Sequence, residues 1–198
     1  MIAFIQGRLD FLCPTYVVIE TGGVGYHIHI SLNTYSDVAN RQENAERPVK
    51  LFTFLHVKED AHTLYGFSEE EERKLFTQLI SVSGIGPNTG RMILSSISPA
   101  ELEEAIVSGN VNLIKSVKGI GPKSAQRIIL ELQDRLKKEG RSSLGQALAS
   151  GTAREEALSA LIMLGFARNT AEKAVGAVQK ETPGAPVEQI IKHALKLL

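Results

Sequence analysis

The spacing of apolar positions changes twice along the chain, and each change marks a different kind of structure. Residues 2–11, 15–21, 24–30, 49–57 and 62–67 are short runs rich in β-branched and aromatic side chains, the composition of half-buried strands. Turn-formers separate them at Cys13-Pro14, at Gly22-Gly23, in the polar stretch 33–48 and at 58–61. Alternation is clearest in Tyr26-His27-Ile28-His29-Ile30, where Tyr26, Ile28 and Ile30 fall on one face. Five such strands are too few for a sandwich, and closing them into a barrel removes the edges they would otherwise expose. The pattern predicts an OB-like barrel.

From Ser68 the period becomes helical. Ser68 with Glu71, and Ser98 with Glu101 behind Pro99, have the spacing of capping boxes. Leu75 and Leu79, then Leu102 and Ile106, follow at helical intervals. The acidic run 69–72 reads as a solvated helix N-terminus with no chemistry of its own. Residues 140–152 are rich in Gly, Ser and Ala without an apolar stripe and read as a flexible linker. Thr152 with Glu155 opens a last unit of three helices, at 153–164, 170–180 and 187–198. The chain is thus predicted to be a multi-domain α+β protein. A five-stranded barrel spans 1–64, an all-α region 65–140, a linker 141–152 and a small three-helix module 153–198.

Composition narrows the possibilities. The 198 residues suit two or three compact units, and no apolar run approaches the ~20 residues of a membrane span. Arg8 and Asp10 interrupt the opening stretch, which argues against a signal peptide. The single cysteine, Cys13, cannot form an intramolecular disulfide, so a reducing, cytoplasmic setting is expected. Net charge is zero, yet residues 111–138 hold seven basic side chains against two acidic ones, a local excess of +5. His27 and His29 lie two residues apart on one strand face with no third ligand at metal spacing, and are read as barrel surface or packing. No metal site and no cofactor are expected, and without a GxxxxGK[ST] loop any ATP hydrolysis belongs to a partner.

The chemistry lies in an internal repeat. Residues 82–90 (VSGIGPNTG) and 117–125 (VKGIGPKSA) match at an offset of 35. Apolar residues on both sides of each copy predict helix, tight glycine turn, helix. Glycines without Cβ let the peptide N–H groups approach an anion, and the positive end of the following helix faces the same point. Ile85 and Ile120 are expected to point inward and pin the turns. Lys118, Lys123 and Arg127 flank the second turn, and Thr89 and Ser124 add hydroxyl donors. Such a device grips phosphates and carries no sequence information.

Gly84-Ile85-Gly86-Pro87 and Gly119-Ile120-Gly121-Pro122-Lys123 resemble helix-hairpin-helix motifs. Together with the opening MIAFIQGRL, the stretch HVKEDA at 56–61 and LYGF at 64–67, they make the whole chain similar to the RuvA family. That family comprises the Holliday-junction-binding subunits of a bacterial branch-migration complex. The resemblance implies a homotetramer, or an octamer, holding a four-way DNA junction open on a basic face. Ser83, Gly84, Gly86, Thr89 and Arg91, with Lys118, Gly119, Gly121, Lys123, Ser124 and Arg127, would grip duplex backbones. Glu59 and Asp60, which by themselves read as an exposed hairpin turn, would form an acidic pin near the crossover. The C-terminal module would contact the AAA+ motor RuvB through Leu161, Leu164 and Phe166, and the junction resolvase RuvC would join a larger complex. One departure from the family pattern is Asn88, where a lysine is expected after the first GIGP, followed by Gly90. The first hairpin is therefore expected to rely on backbone amides and Arg91.

Two other readings stand beside this one. A helix-hairpin-helix glycosylase or nuclease would need a catalytic carboxylate soon after the hairpin, and Asp134 is the nearby aspartate. A passive duplex-binding scaffold would need only the paired hairpins.

Overall fold

The computed structural model describes residues 2–41, 48–148 and 153–198, with only the backbone described over 138–148. The chain divides into two compact units, Met1–Lys138 and Glu139–Leu198.

The first unit begins with strands β1 (Phe4–Cys13), β2 (Tyr16–Thr21), β3 (Val24–Ile30), β4 (Val49–Val57) and β5 (His62–Phe67). They close into a barrel in the order β1-β2-β3-β5-β4, as the strand pattern predicts. Every pairing is antiparallel except β3 with β5. Alternation turns Ile5, Val17, Ile19, Ile28, Ile30 and Leu51 into the barrel interior. β5 runs across the boundary expected at 64/65.

The polar stretch 33–48 contains a helix, α1 (Leu32–Arg41), where a turn-rich separator is expected. Thr34 and Val38, four residues apart, form its buried stripe. The threonine hides the helical period because its hydroxyl is satisfied inside rather than by water. Residues 42–47 lie outside the described residues.

Helices α2 (Glu70–Ser81), α3 (Pro87–Ser96), α4 (Pro99–Ser108), α5 (Val111–Lys115) and α6 (Pro122–Leu148) follow. They share one core with the barrel wall. Phe76 of α2 lies 5.6 Å from Phe54, 5.2 Å from Tyr65 and 4.9 Å from Phe67, ring centre to ring centre. Ser98 caps α4 in the predicted box with Glu101.

Ser68 does not cap α2. The N-cap is Glu69, with no side-chain bond. The Ser68 hydroxyl donates instead to Asp37 Oδ2 (2.5 Å) and its amide to Thr34 Oγ1 (3.1 Å). The acidic run is not wholly solvated either, because Glu72 is 2% exposed. Ser31 Oγ donates to its Oε1 (2.5 Å) and Thr34 Oγ1 to its Oε2 (2.7 Å). Each hydroxyl accepts a backbone N–H in turn, from Thr34 and from Ser68. Both carboxylate oxygens therefore meet donors, which ties α2 to the β3–α1 corner.

Helix α6 continues to Leu148, so the backbone at 141–148 is helical where the linker is expected to begin. Alanine, leucine and glutamine tolerate a helix well, and the single Gly145 is too little to stop it. The rest of the expected linker, 149–152, and with it the Thr152 cap, lies outside the described residues. The second unit contains α7 (Ala153–Met163), α8 (Arg168–Glu181) and α9 (Val187–Ala194) around a small core of Ala157, Leu161, Val175, Val178 and Ile190. No helix among the described residues is long and apolar enough to cross a membrane.

Candidate nucleic-acid interface

The repeat folds into two turns with the same backbone. Gly84 and Gly119 take φ of 89° and 88°, a left-handed conformation that side chains with a Cβ rarely adopt. Ile85 N–H bonds to Val82 O, and Ile120 N–H to Val117 O, both at 3.0 Å. The next helix then begins identically: Gly90 N–H reaches Gly86 O at 2.9 Å and Ala125 N–H reaches Gly121 O at 3.0 Å. Ile85 and Ile120 are buried, as expected, and anchor the turns in the core. The amides of Gly84, Gly86, Gly119 and Gly121 have no partner among the described residues. They stand at helix N-termini, where orphan N–H groups and the helix dipole favour an anion.

The two turns brace one another. Arg127 Nη1 on α6 donates to Ser83 O in the first turn at 3.0 Å. Met92 occupies the same place in the first copy, 35 residues earlier, and its Cε lies 3.9 Å from where a Cβ on Gly119 would stand. Arg135 Nη1 adds a weaker reach, 3.5 Å, to Ser81 Oγ.

The remaining candidate residues divide by surroundings. Ser83, Lys118, Lys123 and Arg127 are exposed, while Thr89, Ser124 and Arg91 are half-buried. Arg91 uses Nη1 on Thr15 O (2.8 Å) and on Ile30 O (3.5 Å), which ties α3 to the barrel. Asn88, the departure from the family pattern, accepts a hydrogen bond from the Tyr65 hydroxyl (3.3 Å) and makes a second tie. Gly90 lets α3 approach α2, since a Cβ there would lie 3.2 Å from Ile80 Cγ2. The first hairpin is thus fastened to the barrel by Asn88 and Arg91, whose equivalents in the second hairpin are Lys123 and Gln126.

Glu59 and Asp60 are exposed at the tip of the β4–β5 hairpin, closed by Lys58 N–H to Ala61 O at 2.8 Å. Asp134 is exposed on α6. In the second unit Leu161 is fully buried and presents no surface, and Phe166 is half-buried against the core. Leu164 is 61% exposed and is joined by Met163 at 88%, which sequence reasoning placed only in the turn.

The helix breaks that the sequence places at Gly165-Phe166 and at 183–186 are two further glycine turns, whose likeness to the hairpins the repeat did not reveal. At Gly165 and Gly184 the chain again takes positive φ, 99° and 82°. The second resembles the hairpin turns closely: Ala185 N–H meets Thr182 O at 3.3 Å and Ile190 N–H meets Pro186 O at 3.1 Å. Pro186 stands where the hairpins have Gly86 and Gly121, so this turn keeps the shape and the Gly184 amide but lacks the second glycine's donor.

Family models match three consecutive segments: the RuvA N terminal domain over residues 1–66, a SAM-like helix-hairpin-helix tandem over 76–134, and the RuvA C-terminal domain over 152–198. Curated proteins named Holliday junction branch migration complex subunit RuvA are similar along their full length. Those of Bacteroides thetaiotaomicron, Christiangramia forsetii and Flavobacterium psychrophilum are 48%, 50% and 50% identical, with 100% of this chain and 100% of each relative covered. A closed five-stranded barrel, a tandem of braced hairpins and a small C-terminal helical module, matched in that order and at that identity, establish that this chain belongs to the RuvA family.

Proposed function

We propose that this chain binds four-way DNA junctions as the DNA-holding, non-catalytic subunit of an ATP-driven branch-migration complex in the cytoplasm. The observation that carries the reading is the pair of matched turns, with their amides unpartnered and Arg127 linking one to the other. Two anion sites in one rigid unit fit two phosphates of a duplex arm, and Lys118 and Lys123 beside the second turn add sequence-independent attraction. Four protomers would present eight hairpins to four arms, so that avidity compensates for weak single contacts.

Glu59 and Asp60 act in this reading as the pin. Two carboxylates on an otherwise attractive face repel phosphates locally and steer strands at the crossover. The second unit recruits the RuvB motor through Leu164 and Met163, with Phe166 supporting the turn beneath them. ATP hydrolysis belongs to that motor, and RuvC joins the larger assembly.

A gel shift comparing a four-way junction with linear duplex of equal length, each titrated with salt, tests the reading. Junction binding that survives salt sufficient to release linear duplex supports it. Equal affinity for both would reduce the chain to a passive duplex-binding scaffold, and base release or nicking by the pure protein would restore the enzyme reading.

A further inference from the structure

The outer face of the barrel carries a column of rings, of which only Tyr65 is tied to a hairpin. Cys13, Tyr16, His29, Tyr65 and Phe54 form one register row across β1, β2, β3, β5 and β4. Along and beside that row, Phe11 stacks on Tyr16 (centroids 5.3 Å) and Tyr16 on His27 (4.3 Å), each with 25° between planes. His27 meets His29 edge-on at 4.9 Å, and His29 lies 5.7 Å from Tyr65.

The inner end of the column is closed, because Tyr65 is buried against Phe76. The outer end is open: Phe11 is 47% exposed and His27 is exposed. Arg8, 3.4 Å from Asp10 and 3.7 Å from Glu20, offsets one of the two carboxylate charges that β1 and β2 carry near Phe11 and Tyr16. The column is also joined to the first hairpin. The Tyr65 hydroxyl bonds to Asn88, and Arg91 grips the carbonyl of Thr15 in the loop beside Tyr16. Burial, with Arg91 and His27 nearby, holds His29 below its ordinary value, so at neutral pH it is an uncharged ring.

An open stack of rings on the β2–β3 face of an OB-like barrel suits a nucleobase, because every base has a π-face and stacking tolerates any sequence. Paired bases inside a duplex offer only their edges, so the platform needs bases whose pairing is interrupted. We propose that the Phe11–Tyr16–His27 column is a stacking platform for unpaired nucleobases at the open centre of a bound junction. This inference rests on the junction-binding reading. Within it, a strand whose phosphate lies on the first hairpin has the platform in the same rigid unit.

The test uses the full chain and a four-way junction carrying 5-iodouracil either at the crossover or in mid-arm. The complex is isolated, irradiated and mapped by mass spectrometry. Cross-links from the crossover label to Phe11, Tyr16 or His27, absent from the mid-arm label, support the platform. Replacing Phe11 and Tyr16 together by alanine should lower that yield roughly five-fold or more, the loss of one stacked base, while Tyr16→Phe retains it. A complex that forms but cross-links only within 83–91 and 118–127 overturns the platform and leaves junction binding intact. Failure to form any junction complex overturns the junction reading, and the platform's ligand with it.

Discussion

Arg127 and Ser83 are 44 residues apart, yet the guanidinium of one donates to the carbonyl oxygen of the other at 3.0 Å. A helix of the second hairpin thereby holds the turn of the first, and Met92, at the equivalent place in the first copy, packs toward the turn of the second. The repeat thus folds as a reciprocal pair, one half of it polar and the other apolar. Two turns built this way keep a spacing fixed by the fold.

Arg127→Ala should therefore act differently from Lys123→Ala. The first removes a charged donor from a carbonyl and should lower stability by about 1 kcal/mol as well as weaken junction binding. The second touches no described partner and should weaken binding alone, uniformly across DNA sequences, with the salt slope reduced by about one unit or less. Thermal melts beside gel shifts separate the two. Equal melting temperatures for both variants would contradict the brace.

The glycines of each turn should separate by role. Gly84→Ala and Gly119→Ala force a Cβ into a left-handed conformation and should each cost about 1–2 kcal/mol of stability. Gly86 and Gly121 have no atom within 4 Å of an added Cβ, and Gly86 takes an ordinary extended conformation. Gly121→Ala should therefore fold normally and lose junction affinity, because the new methyl group stands where a phosphate oxygen approaches the amide. Unchanged affinity would place the anion elsewhere.

Glu72 predicts a pH dependence with a definite sign. Burial raises its carboxyl above the ordinary value of 4.5, against the bonds from Ser31 and Thr34 that favour the charged form. The native state then holds this proton more tightly than the unfolded chain. The site's contribution is complete below the unfolded value and declines as pH rises toward the raised one. Relative to Glu72→Gln, the wild type should lose stability across that interval and run parallel to the variant above it. Urea denaturation at several pH values measures the difference, and a gap that widens as pH falls in favour of the variant would reverse the assignment.

Neutralising the β4–β5 tip with Glu59→Gln and Asp60→Asn should keep or tighten junction binding and alter branch migration when the motor is supplied. The tip is exposed and held by one backbone bond, so folding should be unaffected. Collapse of junction binding in this variant would remove the pin assignment.

The strands were legible because period-two alternation coincides with burial: Ile28 and Ile30 face inward where Tyr26-His27-Ile28-His29-Ile30 says they should. The hairpins were legible because a glycine needing positive φ and a buried isoleucine recur at one offset. Helix α1 was not, since its buried Thr34 reads as polar in any linear pattern. The burial of Glu72 was equally invisible within a run of four glutamates, because only the hydroxyls of Ser31 and Thr34, about forty positions away, make it tolerable.

Local sequence determined the strands, most of the helices and the backbone of the two matched glycine turns, since each depends on residues within one or two helical turns of itself. Tertiary structure alone decided which arginines also tie distant segments together. Nothing in the linear sequence marks Arg91 as a tie to the barrel or Arg127 as a tie to the neighbouring turn, because the carbonyls of Thr15 and Ser83 are brought up by distant segments.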